Sequence, residues 1–197
     1  TDGVSVREAV FPLPSQPATS LRVSLWDFAG QRVYYLTHQF FLSPRAMYLL
    51  LWKWRSGGGF GQAQLFFWLR SIAAQAPAAP VFVIGTHGAG CGAEEAAAME
   101  RAREQLRRAF PTLQLQFHIV DSCTGLGIDT LKTALLEHAE ALPTTRLDVP
   151  TQWLELKQKV ADAADAAAGA PLLSLADFGA SIGAGCPQVE DALALWH

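Results

Sequence analysis

Hydrophobic positions recur along this chain with two periods, and the alternation between them sets its class. Leu21, Val23 and Leu25 alternate with Arg22, Ser24 and Trp26, the period of a strand with one buried face. With Val4 to Val10 they predict a β-ribbon, joined by a loop that holds Pro12, Pro14 and Pro17. Ala46 to Trp52 and Val81 to Ile84 are near-continuous apolar runs, as parallel strands covered on both faces require. Leu115 to Val120 predicts a final strand. Between the strands, Leu65, Trp68, Leu69 and Ile72 fall at helical spacing within Gln62 to Gln75. Glu94 to Ala109 is acidic at its start and basic at its end, as a helix dipole favours, and Asp129 to Leu142 reads as a further helix. Strand and helix alternating in this order predict an α/β fold with a doubly wound, mainly parallel sheet. Ligands of such sheets sit at the carboxyl ends of the strands, where Asp27, Thr86 and Ser122 all stand.

The segment Pro143 to Pro150 breaks the pattern and places a boundary there. Beyond it, Trp153, Leu156, Val160 and Ala164 share one helical face, and an Ala-rich stretch continues to Ala168. Asp177 to Ile182 and Val189 to Trp196 predict short helices of an unfinished domain. A length of 197 residues, half of them hydrophobic, suits one α/β domain and part of another. The net charge of −3 gives no electrostatic footprint for nucleic acid or an anionic membrane. Cys91, Cys123 and Cys186 form an odd, scattered set, which predicts reduced thiols in a cytoplasmic protein. No apolar run reaches membrane-spanning length, because Arg45, Lys53 and Arg55 bracket the best candidate. The chain opens on Thr1 instead of Met, which predicts an excised segment.

Candidate chemistry begins where the second strand ends, at Asp27-Phe28-Ala29-Gly30-Gln31. An Asp there can hold the water shell of Mg²⁺, and a Gly lets a backbone N–H approach a terminal phosphate. A Gln one step on can orient an attacking water. Alone, Asp-x-x-Gly is a weak pattern that suits a plain turn after a strand better than a phosphate site. No Gly-x-x-x-x-Gly-Lys-Ser/Thr loop occurs, and the Gly-rich stretch from Gly57 to Gly61 lacks the Lys and hydroxyl of a phosphate cradle. His87 and Cys91 have a spacing compatible with a metal, but two ligands do not make a zinc site. Trp52, Trp54, Phe66, Phe67 and Trp68 read as core and interface aromatics, since no basic groove accompanies them.

The longer stretch from Asp27 to Leu50 resembles the switch II region of the Roc domain, the Ras-like GTPase module of Roco proteins. Trp-Asp-Phe-Ala-Gly (26–30), Tyr-x-x-Thr-His (34–38), Phe40-Phe41 and Arg-Ala-x-Tyr-Leu (45–49) carry the resemblance. Val81 to His87 resembles the strand and Gly-Thr-His turn that open the guanine-reading loop. Ser122-Cys123-Thr124-Gly125 is similar to the last nucleotide loop, and Thr1-Asp2-Gly3-Val4 to the Thr-x-Gly-Val of switch I. Trp153-Leu154-Glu155-Leu156 looks like the opening of COR, the domain that follows Roc.

The resemblance implies a Ras-like P-loop NTPase fold truncated at its N-terminus, with the first strand, phosphate loop and first helix lying upstream. Residues 1–142 would be Roc, 143–150 a linker, and 151–197 the start of a mainly helical COR. It implies GTP or GDP with Mg²⁺ as ligands, and Gln31 as the catalytic, water-positioning residue. Thr1 and Asp27 would attend the metal. Thr1, Asp27, Gly30, Thr86, His87, Ser122, Cys123 and Thr124 would line the nucleotide, with Ser122 and Cys123 acting through backbone N–H groups. Thr37 and His38 would pack and cap switch II. The implied partners are a guanine nucleotide, a second copy through COR and protein effectors, with leucine-rich repeats or a kinase possible in the parent. One residue departs from the pattern: Ala89 stands where the family's Gly-Thr-His-x-Asp places the base-reading Asp, no acid occurs among Gly90 to Ala93, and only a rearranged loop could bring Glu94 or Glu95 to the base. The competing expectation is a scaffold of the same shape without turnover.

Overall fold

The computed structural model describes residues 3–53, 60–90, 93–142, 145 and 150–166. The expectations for Thr1, Trp54, Gly57 to Gly59, Cys91, Cys186 and the two short helices after Asp177 lie outside them. The chain divides into two compact units, Thr1–Thr145 and Arg146–His197.

In the first unit, strands β1 (Val4–Pro12) and β2 (Ser20–Phe28) form an antiparallel ribbon in which Val4 faces Phe28 and Phe11 faces Leu21. The turn between them closes through the Leu13 N–H, which donates to the Thr19 carbonyl at 2.9 Å. Two 3₁₀ turns (Arg32–Tyr34 and Gln39–Phe41) flank the single-turn helix α1 (Tyr35–His38). Strands β3 (Tyr48–Lys53), β4 (Pro80–Thr86) and β5 (Gln114–Ile119) then form a parallel sheet in the order β3-β4-β5. Crossovers through α2 (Phe60–Gln75) and α3 (Ala93–Ala109) join them, and α4 (Ile128–Ala141) follows β5.

Strand β4 explains the layering. Its residues from Pro80 to Gly85 are all buried, so its side chains feed two cores on opposite faces. On one face Val81 and Val83 pack with Leu65, Leu69 and Ile72 of α2 and with Leu106 of α3. On the other, Phe82 and Ile84 pack with Val120, Met47 and the α4 residues Leu131, Ala134 and Leu135. Helices on both sides of a short parallel sheet give the doubly wound arrangement expected from the alternation.

The ribbon and the parallel sheet remain separate, however. Among the described residues β2 and β3 each have one edge without a strand partner. The side chains beside those edges show it: Leu25 is 48% exposed, Leu49 43% and Leu51 65%. The face of β2 expected to be buried is therefore only half covered. The ribbon is tied instead to α4, where Glu140 accepts from the backbone N–H of Ser15 at 3.1 Å and Lys132 lies over the Phe11 ring.

In the second unit, α5 (Thr151–Ala166) starts where the Trp153 N–H donates to the Pro150 carbonyl at 2.9 Å. Leu156 is buried, and Trp153 and Val160 are half-buried, on the face that their spacing predicts.

Candidate functional site

Two loops leave the carboxyl ends of the adjacent parallel strands β4 and β5. The first runs from Gly85 to Ala89. Thr86 ends β4, its hydroxyl donating to the Trp52 carbonyl at 3.2 Å and lying 3.1 Å from His87 Nδ1. His87 has a positive φ of 63°, an unusual conformation for a non-glycine residue, and turns the chain sharply. Gly88 then passes so close to β5 that a Cβ would overlap the Ile119 side chain. Its N–H donates to the Val120 carbonyl at 3.0 Å.

The second loop, Asp121 to Gly127, winds around the Asp121 carboxylate. Oδ1 accepts from Cys123 N (3.0 Å), Thr124 N (3.1 Å) and the Thr124 hydroxyl (3.2 Å). Oδ2 accepts from the backbone N–H of Ala89 at 3.2 Å, which ties the second loop to the first. These bonds favour the ionised form and hold the Asp121 carboxyl below its usual range, with the Ala89 N–H contributing most. Ser122, Cys123 and Thr124 stand exposed around it, and the Cys123 N–H is already used inside the loop.

A carboxyl whose pKa is lower in the fold stabilises the fold above its unfolded value, ordinarily 3.8, and loses that contribution as pH falls through the folded value. Wild type should therefore be more stable than Asp121→Asn at neutral pH, and the gap should shrink only below about pH 4. Urea midpoints of both proteins across that range would check this. A gap that closes around pH 6 instead would contradict it.

The remaining site residues gather at the end of β2. Asp27 pairs in register with Ser5 and is exposed, as are Gly30 and Gln31. Gly30 has no positive φ, and a Cβ built on it would meet nothing within 4 Å. The turn that follows is fastened by aromatic packing. His38 is only 2% exposed, 5.0 Å from the Phe28 ring, 5.6 Å from Tyr34 and 6.2 Å from Trp68 of α2. Tyr35 stacks on Phe67 at 5.0 Å, and the Thr37 hydroxyl donates to the Tyr34 carbonyl at 2.8 Å. Thr37 and His38 thus cap and pack this segment as expected. Phe66 joins the core while Phe67 and Trp68 receive the turn.

The hydrogen bonds thus join Gly88 and Ala89 to Val120, Asp121, Cys123 and Thr124, while Asp27, Gly30 and Gln31 form a second group. Among the described residues no three His, Cys, Asp or Glu side chains come together to hold a metal ion. No helix among them is long and apolar enough to cross a membrane. Asp121 is the residue that sequence reasoning missed, since the expectation for an acid near Ala89 reached only as far as the residues that follow it, Glu94 and Glu95 included. The signal was local: an Asp whose side chain accepts from N–H groups two and three residues on is an Asx turn, for which Asp-Ser-Cys-Thr is suited.

Residues 1–88 match the family described as Ras of Complex, Roc, domain of DAPkinase. The chain belongs to the Roc family. Among its relatives is the probable serine/threonine-protein kinase pats1 of Dictyostelium discoideum, 29% identical over 174 residues and matched over 81% of this chain. The probable serine/threonine-protein kinase roco11 of the same organism is 32% identical over 139 residues, or 70% of this chain. Leucine-rich repeat serine/threonine-protein kinase 1 of Caenorhabditis elegans is 48% identical over 64 residues, 32% of the chain. The chain spans 5%, 9% and 3% of those three proteins. The solved structure of Methanosarcina barkeri Roco2 RocCORdC bound to GDP superposes with a TM-score of 0.60 at 24% identity, covering 81% of this chain and 45% of that one. The Roc chain described here shares that Ras-like α/β fold.

Proposed function

We propose that this Roc chain supplies most of a guanine-nucleotide switch that binds GTP with Mg²⁺ and hydrolyses it slowly to GDP and phosphate. The observation that carries the reading is the pair of loops at the carboxyl ends of β4 and β5, bound together through Asp121 and Ala89. Crevices at such strand ends are where open α/β sheets take nucleotides. The GDP held by the Methanosarcina relative supports the same choice of ligand. Thr86, His87, Ser122, Cys123 and Thr124 would surround the base. Gln31 would position the attacking water, and Gly30 would give its N–H to the γ-phosphate.

Mg²⁺ fits this donor set only in company. Thr1 and Asp27 are the residues of this chain that would attend the ion, beside phosphate oxygens, water and the hydroxyl of an upstream phosphate loop. When bound, Mg²⁺ would neutralise charge on the phosphates. Asp27 would orient the water shell, and the switch turn would follow the phosphate that Gly30 touches.

The open edges of β2 and β3 would be filled by a parallel strand from an upstream segment that also brings the phosphate loop. Residues 143–150 would link Roc to a COR region beginning at 151. COR would join two copies of a cytoplasmic signalling protein and pass the switch state to effectors or to a kinase.

Gly30 provides the test. Nothing in the described fold requires glycine there, so Gly30→Ala should shift the unfolding free energy by less than about 0.5 kcal/mol. It should weaken a non-hydrolysable GTP analogue about tenfold or more while leaving GDP affinity unchanged, read by calorimetric titration of the intact protein with Mg²⁺. If wild type binds neither nucleotide, the alternative stands: an interaction scaffold without turnover. Ala89 is the residue that favours it, since the carboxylate expected to accept the base edge is missing.

A further inference from the structure

A guanine edge presents two donors, N1–H and the 2-amino group, and a loop that selects guanine needs an ionised acceptor opposite them. Ala89 has no such group. The neighbouring loop, however, brings a carboxylate beside it. Asp121 lies 32 positions further on, yet its Oδ2 sits 3.2 Å from the Ala89 backbone nitrogen. Its two oxygens are unequally used. Oδ1 takes three hydrogen bonds, while among the described residues Oδ2 takes only the one from Ala89, and a carboxylate oxygen can accept two.

We propose that Asp121 reads the base edge in place of the carboxylate that Ala89 lacks. The inference rests on the nucleotide-binding reading above and names the residue that would give it base specificity. The bonds on Oδ1 lock the side chain in the loop, and the bond on Oδ2 sets it beside the residue where the base-reading position falls. A single remaining acceptor offers one charge-assisted bond where the usual arrangement offers two. Specificity for guanine should therefore be present but reduced, at about ten- to a hundredfold over a base that presents an acceptor there.

Xanthosine diphosphate is such a probe, because a carbonyl replaces the 2-amino group and faces the carboxylate. We expect the intact protein, titrated with Mg²⁺ present, to bind GDP at least tenfold more tightly than xanthosine diphosphate. Asp121→Asn presents an amide N–H to that carbonyl, and should bring the ratio to one or below. If the variant weakens both nucleotides equally and keeps the ratio, Asp121 is a brace between loops and the proposal is overturned. Equal affinities in the wild type overturn it as well, with nucleotide binding intact. No binding of either nucleotide would instead remove the switch reading beneath it.

Because Asp121→Asn can loosen both loops, Ala89→Asp gives an independent measurement. With the base edge already served and two carboxylates side by side, GDP affinity should rise less than tenfold. A gain of tenfold or more means that the edge was unread in the wild type, and Asp121 does not read it.

Discussion

Taken alone, these 197 residues should melt without a sharp cooperative transition. The reason lies at the two unpartnered edges. Leu25 beside one, and Leu49 and Leu51 beside the other, are each around half exposed although they lie on strands. Full burial of such side chains contributes about 1.5–3 kcal/mol each. About half of that is missing at each, roughly 2–5 kcal/mol together, a large share of the stability of a small domain, about 5–15 kcal/mol. Exposed strand edges also recruit one another, so the isolated chain should bind a hydrophobic dye and associate with concentration. Extending it upstream by a strand that pairs with both edges should restore a single transition with native near-ultraviolet circular dichroism. A sharp transition from the unextended chain would show that the ribbon and the sheet hold without an intervening strand.

Substitution of Gly127 should be the most damaging single change in the loop after β5. Gly125 and Gly127 both have positive φ, 78° and 72°, so both are positions that suit glycine. They differ in what lies next to them. A Cβ on Gly125 would meet nothing within 4 Å, whereas on Gly127 it would overlap the backbone carbonyl oxygen of Ile119. Gly125→Ala should therefore cost about 1 kcal/mol, the conformational part alone. Gly127→Ala must move backbone, either in β5 or at the start of α4, and should cost about 3 kcal/mol or more. Either movement would also disturb the Val120 N–H bond to the Gly85 carbonyl, 2.9 Å long, which joins the carboxyl ends of β4 and β5. Urea midpoints of the two variants in the extended protein would settle the comparison. Equal losses would mean that φ alone governs both sites.

Strand β4 was legible because its apolar run needs no partner to be recognised, and α2 because its apolar positions repeat at helical spacing. The helices α2 to α5 differ from expectation only at their ends, as at Phe60, where α2 begins two residues earlier than Gln62. The break between β2 and β3 was harder to foresee. Val23 and Leu25 carry the pattern of a buried face, but a pattern records what a face is suited to and not whether its cover is at hand. The turn from Arg32 to Phe41 carries no period at all, and its short helices come from ring packing around His38. At the site, Thr86 and Ser122 could be placed from strand ends alone. Asp121 could not be assigned to Ala89, because a hydrogen bond across 32 positions leaves no trace in spacing.

His38 carries a consequence for how the molecule opens. Both of its ring nitrogens are buried without a hydrogen-bond partner among the described residues. Such atoms cost about 1–3 kcal/mol each compared with their hydrated state, and exposure to water recovers that energy. The aromatic rings that hold the turn down therefore also enclose a reason for it to lift. Amide hydrogens from Tyr35 to Phe41 should exchange through local openings far less costly than global unfolding, while those of β4 wait for the whole domain. A segment poised in this way can be moved by a modest change in what it touches.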